Sequence, residues 1–142
     1  MLEKECNRQF LKSALCRQLF YCCDKPHYQA GVLVSSRDKI KLLDILLTEI
    51  ISDNFSSKLT RKMNSQYDYR LIFDNGSYFK IVVGTDGARG HRYHDILIDN
   101  ELDEENQFSY GRAKIIPYRP SFEDFETDGV SPNLRIVQLI IK

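Results

Sequence analysis

The 142-residue chain has no tryptophan, only seven glycines and four prolines, and no glycine ahead of Gly31. No Gly-Lys pair occurs, which excludes a GxxxxGK[ST] phosphate loop, and no GxSxG occurs, which removes a common signature of a serine nucleophile. Net charge is also missing. Twenty basic residues balance twenty acidic ones, which argues against a broadly basic nucleic-acid binder while leaving room for a local basic face. No apolar run approaches the roughly 20 residues that cross a bilayer, and the amino-terminal MLEKECNRQF carries acids where a leader peptide has an apolar core. These absences lead to the expectation of a cytoplasmic protein with no membrane partner.

What is present is an ordinary globular composition, 42% hydrophobic and 28% charged, enough apolar material for one core and hence for a single domain over residues 1–142. The charge is split along the chain: residues 1–70 hold 12 Lys and Arg against 8 acids, and the second half reverses the balance. All four cysteines, Cys6, Cys16, Cys22 and Cys23, fall in the first 23 residues, where reduced thiols buried along a helix are the default. A zinc set of Cys16, Cys22, Cys23 and His27 is the alternative, although it lacks the CxxC pairs of zinc sites.

The hydrophobic pattern places the elements. Cys6, Phe10, Leu11, Ala14, Leu15, Leu19 and Cys22 recur at helical steps, so a helix is expected from Leu2 to about Cys23, stopped by Asp24-Lys25-Pro26. Ala30–Ser35 is apolar on both faces and reads as a buried parallel strand. A helix over about Arg37–Ser52 follows, with Ser36 a candidate cap. Residues 53–68 lose the pattern and read as a solvated connection. There Lys58, Arg61 and Lys62 with Tyr67 and Tyr69 are the alternative nucleic-acid contact. Asn75-Gly76 between two β-prone runs, within 69–83, predicts a hairpin with a type I′ turn. Asp95–Asp99 reads as a buried strand delivering a carboxylate at its carboxyl end, Tyr110–Tyr118 as a strand, SFEDFETDG as an acidic loop or short helix, and Leu134–Ile141 as a last buried strand. Strands alternating with helices predict an α/β fold, a sheet with flanking helices in three layers.

In order, VLVSS, a long helix, I-F-x-N-G-S in a hairpin and A-R-G-x-R-x-x-D-I-L-I-D resemble the ATPase core of the large terminase subunit over about residues 31–101. Terminases are phage DNA-packaging motors of the P-loop, helicase-like class. The resemblance assigns Asn75, Gly76 and Ser77 to the family's hairpin, Arg89, Gly90 and Arg92 to its arginine-glycine loop, and Asp95 to the acid ahead of the Walker B strand. Asp99 takes the Walker B aspartate, which supports the Mg²⁺ of bound ATP.

Two departures accompany it. The expected terminal helix leaves no place for the family's first strand and phosphate loop. Asn100 stands at the catalytic glutamate, where an amide cannot take a proton from water; Glu101 comes one residue later and, in a strand, points to the other face from position 100.

The resemblance therefore implies a truncated P-loop NTPase-like domain of phage or mobile-element origin that does not hydrolyse ATP. Residual Mg²⁺ or ATP binding stays open, as do DNA, a phage packaging protein, a host protein or a second copy on an exposed sheet edge as partners. One alternative is a non-enzymatic phage regulatory module. Another is a metal-dependent enzyme using His91, His94, Asp95 and Asp99.

Overall fold

The structure is a computed structural model and describes residues 3–6, 8–55, 57–64, 69–84, 91–118 and 133–139. Within these residues seven strands and three α-helices follow in the order β1 Glu3–Cys6, α1 Arg8–Asp24, β2 Gln29–Val34, α2 Asp38–Ile50, β3 Leu59–Asn64, β4 Tyr69–Phe73, β5 Tyr78–Val83, β6 Asp95–Asp99, α3 Glu104–Tyr110 and β7 Asn133–Leu139. They form one sheet in the spatial order β1-β7-β6-β2-β5-β4-β3. Strands β1, β7, β6, β2 and β5 run parallel to one another, and β4 and β3 continue the sheet beyond β5 through antiparallel pairs.

Strand alternation divides the core. One face carries Ala30, Val32, Val34, Phe79, Ile81, Leu71 and Leu97 against Leu11, Leu15 and Leu19 of α1 and Leu43, Leu46 and Leu47 of α2. The other carries Leu33, Ile96, Ile98 and Ile136 against Tyr93, Leu102 and Tyr110. With α1 and α2 on one side and α3 with its flanking turns on the other, the sheet is the middle of an α/β arrangement, as the alternation of elements implies.

The chain's opening is a correction. Residues 3–6, expected in the helix, pair in parallel with β7, Glu3 opposite Ile136 and Cys6 opposite Leu139. Sheet pairing overrides a helical periodicity that continues unbroken through Leu11. A strand therefore does precede α1 and covers the outer side of β7, so the edges among the described strands are β1 and β3.

The helix α2 begins after Arg37, whose side chain makes no cap, so Ser36 is not the cap; its carbonyl accepts from the Lys39 amide at 3.3 Å. A π-helical turn, Ile51–Phe55, extends α2 and buries Ile51 and Phe55. The expected connection at 53–68 contains β3, a polar edge strand with an irregularity between Leu59 and Arg61, which has only one partner and so shows no apolar alternation.

Tyr110–Tyr118 is not a strand: α3 ends at Tyr110, a 3₁₀ turn covers Arg112–Lys114, and Ile115 makes a single bridge to Tyr93. The hairpin of β4 and β5 is as expected, but its turn is not type I′. Only Gly76 has a positive φ, +85°, and its amide donates to Phe73 O, which makes a tight turn closed by a left-handed glycine. The segment SFEDFETDG lies outside the described residues.

Candidate functional site

Parallel strands β2 and β6 lie side by side and end together, so Ser35 and Asp99 emerge at the same rim, beside the first turn of α2. Open α/β sheets place their sites at this rim. Asp99 is fully buried. Its Oδ2 accepts from the Ser35 amide at 2.9 Å and from Lys39 Nζ at 2.7 Å, and its Oδ1 accepts from the Glu101 amide at 3.1 Å. Burial works to raise the Asp99 pKa, but the hydrogen bonds from Lys39 and Ser35 outweigh it and hold the carboxyl below the ordinary aspartate value.

Lys39, in the first turn of α2, is shared. Its ammonium lies 2.7 Å from Asp99 Oδ2 and 2.7 Å from Glu101 Oε2. Desolvation pulls its pKa down, and the two carboxylates pull harder, leaving it raised. A cation thus stands between two carboxylates, where an ion bridging both would have to sit, and three of roughly four acceptor positions on Asp99 are already filled by protein donors.

Beyond the strand, Asn100 and Glu101 form a turn, and Glu101 folds back toward Lys39. Asn100 lines a polar cleft of about 600 Å³ with Asp103, Glu104, Gln107 and Arg112.

Cys6 ends β1 and Arg8 opens α1, so one residue separates strand from helix where a phosphate loop inserts several backbone amides. With Lys39 on both carboxylates, the donor set does not fit a divalent ion.

The remaining expected site residues are distributed elsewhere. Asn75, Gly76 and Ser77 lie at the opposite end of the sheet, where the hairpin enters β5, and their contacts are structural. Asn75 Nδ2 donates to Cys22 O at 2.8 Å and Cys23 O at 3.2 Å, ending α1. Ser77 Oγ accepts from the Tyr28 amide at 2.8 Å and donates to Lys25 O. Asp95 is at the amino end of β6, about 13 Å along the strand from Asp99, and accepts from Gln18 Nε2 at 3.1 Å.

His94 is buried, packed against Tyr28 and Tyr118, with Nδ1 3.1 Å from Ile116 O; burial lowers its pKa. His91 stacks on Tyr93, and Arg92 is exposed. The set His91, His94, Asp95 and Asp99 is therefore not one cluster. Among the described residues no three His, Cys, Asp or Glu side chains gather as metal ligands, Cys16, Cys22, Cys23 and His27 included. Arg89 and Gly90 lie outside the described residues, as does Tyr67.

Within the basic stretch, Lys62 is committed internally, whereas Lys58 and Arg61 are exposed. Asp44 takes Lys62 at 2.6 Å and the Tyr69 hydroxyl at 2.8 Å, and Tyr69 is buried rather than open for stacking. Sequence reading missed Lys39. The signal available was a lysine in the first turn of a helix that follows a buried strand, a position where the helix dipole disfavours a cation unless an acid compensates it.

Among the described residues no helix is long and apolar enough to cross a membrane. No protein-family model matches the sequence, and no curated protein matches it. Among solved structures the chain is similar to the large terminase from a thermophilic bacteriophage, with a TM-score of 0.62 at 10% identity. The likeness covers 96% of this chain and 33% of that one, so the chain spans about a third of the terminase's length. At that identity the likeness shows the fold: this is a terminase-like α/β fold.

Proposed function

We propose that this chain is a terminase-like protein of phage or mobile-element origin that does not hydrolyse ATP and serves as an accessory in viral DNA packaging. One observation carries the reading: the Lys39 ammonium bridges Asp99 and Glu101 at the rim where the Walker B aspartate is expected to support a nucleotide's metal. An internal cation neutralises the site and keeps its geometry without Mg²⁺. The single residue between β1 and α1 supports the same reading, because it leaves no cradle for phosphates. The fold is then retained for binding, in the host cytosol, to DNA or to a packaging or host protein.

The test is a turnover assay with Mg²⁺-ATP, with and without DNA, on the wild type and on Asp99→Ala. Neither protein is expected to exceed background, and Mg²⁺-ATP is expected to leave the melting temperature unchanged, since a ligand binding only the native state must raise it. Wild-type turnover that Asp99→Ala abolishes would overturn the proposal.

A further inference from the structure

The sheet separates two surface features that complement each other. The first is an apolar groove of about 770 Å³ on the α1–α2 face, lined by Cys16 and Phe20 of α1, by Ile50 of α2 and by Phe55 of the π-helical turn. Phe20 is 55% exposed, whereas Ile50 and Phe55 are buried, so the groove has an apolar floor and an aromatic side chain at its mouth. Features of this kind mark contact surfaces.

The rim of the groove is basic, carrying Lys12 and Arg17. Glu49 stands nearby and is shared: Arg8 takes it at 2.8 Å and Lys12 lies 3.6 Å from it, the longer and weaker of the two pairings. Arg17 rests over the Tyr21 ring, 5.4 Å from its centre, a contact that leaves its charge uncancelled.

The second feature is on the other face of the sheet. Phe108 of α3 is 60% exposed. Glu104 and Glu105 precede it by four and three positions, so the three side chains share one side of the helix. Arg112 follows one turn later, and the two glutamates with Asp103 at the N-cap outnumber it. Because α1 and α2 cover one face and α3 the other, a chain cannot place its own Phe108 in its own groove. A second copy can.

We propose that the chain associates head to tail, with Phe108 of one copy entering the α1–α2 groove of the next and Glu104 and Glu105 facing Lys12 and Arg17. The dimensions agree: the groove runs along α1 from Gln9 to Phe20, roughly 16 Å, and α3 is roughly 10 Å long. The wider charge has the same sense, since residues 1–70, which hold α1 and α2, carry the basic excess and the later half, which holds α3, the acidic one. A contact between two different patches closes into a ring or continues as a filament, and does not stop at a two-fold dimer. It makes no use of the sheet edges and does not rest on the reading of the Asp99 rim.

The experiment is sedimentation velocity across a range of concentrations, at low and high salt, on the wild type, Phe20→Ser, Phe108→Ser, Arg17→Glu and Glu104→Lys. All four positions are exposed, so the variants are expected to keep the wild-type melting temperature, which is checked first. The wild type is expected to form oligomers that weaken as salt rises. Each Phe→Ser change is expected to weaken association about tenfold or more, the value of one buried aromatic side chain. Phe20→Ser keeps an intact α3 and Phe108→Ser an intact groove, so their mixture is expected to form a heterodimer and grow no further. Arg17→Glu combined with Glu104→Lys in one chain is expected to regain part of the association that each loses alone. A wild type that stays monomeric overturns the proposal, whatever fills the groove instead. Association that the two Phe→Ser changes leave intact overturns it too, as does a mixture that associates no better than its components.

Discussion

The Lys39–Asp99 pair has one partner fully buried and the other mostly so, which makes breaking it more costly than removing a surface bridge. Lys39→Met leaves Asp99 charged and dehydrated with only two amide donors, and is expected to lower stability by about 3 kcal/mol, the lower end for a broken buried pair. Urea unfolding at pH 7 measures it.

The pH dependence follows from the signs. The folded-state pKa of Asp99 is depressed, so its contribution is present above the unfolded value near 3.8 and is lost as pH falls through the folded value. The folded-state pKa of Lys39 is raised, so its contribution is full below 10.5 and is lost as pH rises through the folded value. Wild type minus Lys39→Met is therefore expected to be a plateau that collapses in acid and in strong base. A difference that is flat from pH 3 to 7 would show that the pair contributes nothing.

At the scale of the element, the Asn75-Gly76-Ser77 turn fastens the start of β5 to the end of α1 and the beginning of β2. Asn75→Ala removes hydrogen bonds to two terminal carbonyls of α1 and to the Ser77 amide, and is expected to cost about 2 kcal/mol. Gly76→Ala forces a side chain into φ +85° with its Cβ 2.6 Å from the His27 ring. It is expected to cost more than the roughly 1 kcal/mol of the left-handed conformation alone, because His27 must also move. Thermal or urea melts read both, and neither variant is expected to alter the Asp99 rim at the far end of the strands. A turn whose role was catalytic would instead show small stability effects.

For the whole molecule, β2 and β6 sit in the interior of the parallel sheet, β6 buried at all five positions, whereas β1 and β3 form its edges. Amide hydrogen exchange is expected to be slowest in β2 and β6, approaching the global unfolding rate, and fastest among the strands in β1 and β3. Protection of β1 equal to that of β6 would contradict the edge position.

This gradient also marks how much the residues themselves determined. Short, β-branched apolar runs such as VLV and ILI, bounded by turn residues or acids, fit a strand covered on both faces. Leu11, Leu15 and Leu19 define a helix face, and Asn-Gly with flanking β-formers defines a hairpin; these are local periodicities and turn preferences. The strand β3 was hidden because its edge position leaves few buried residues to make a pattern, and β1 because its pairing depends on a partner about 130 residues away.

The position of Asp99 at the end of its strand was legible, but its chemical state was not. That state depends on Lys39, 60 residues earlier, being brought within 2.7 Å by the adjacency of β2 and β6. Local residue patterns were enough to place Asp99 and the interior strands β2 and β6. The folding of the chain into one sheet is what sets Asp99 against a lysine, because charge compensation depends on which strands lie side by side.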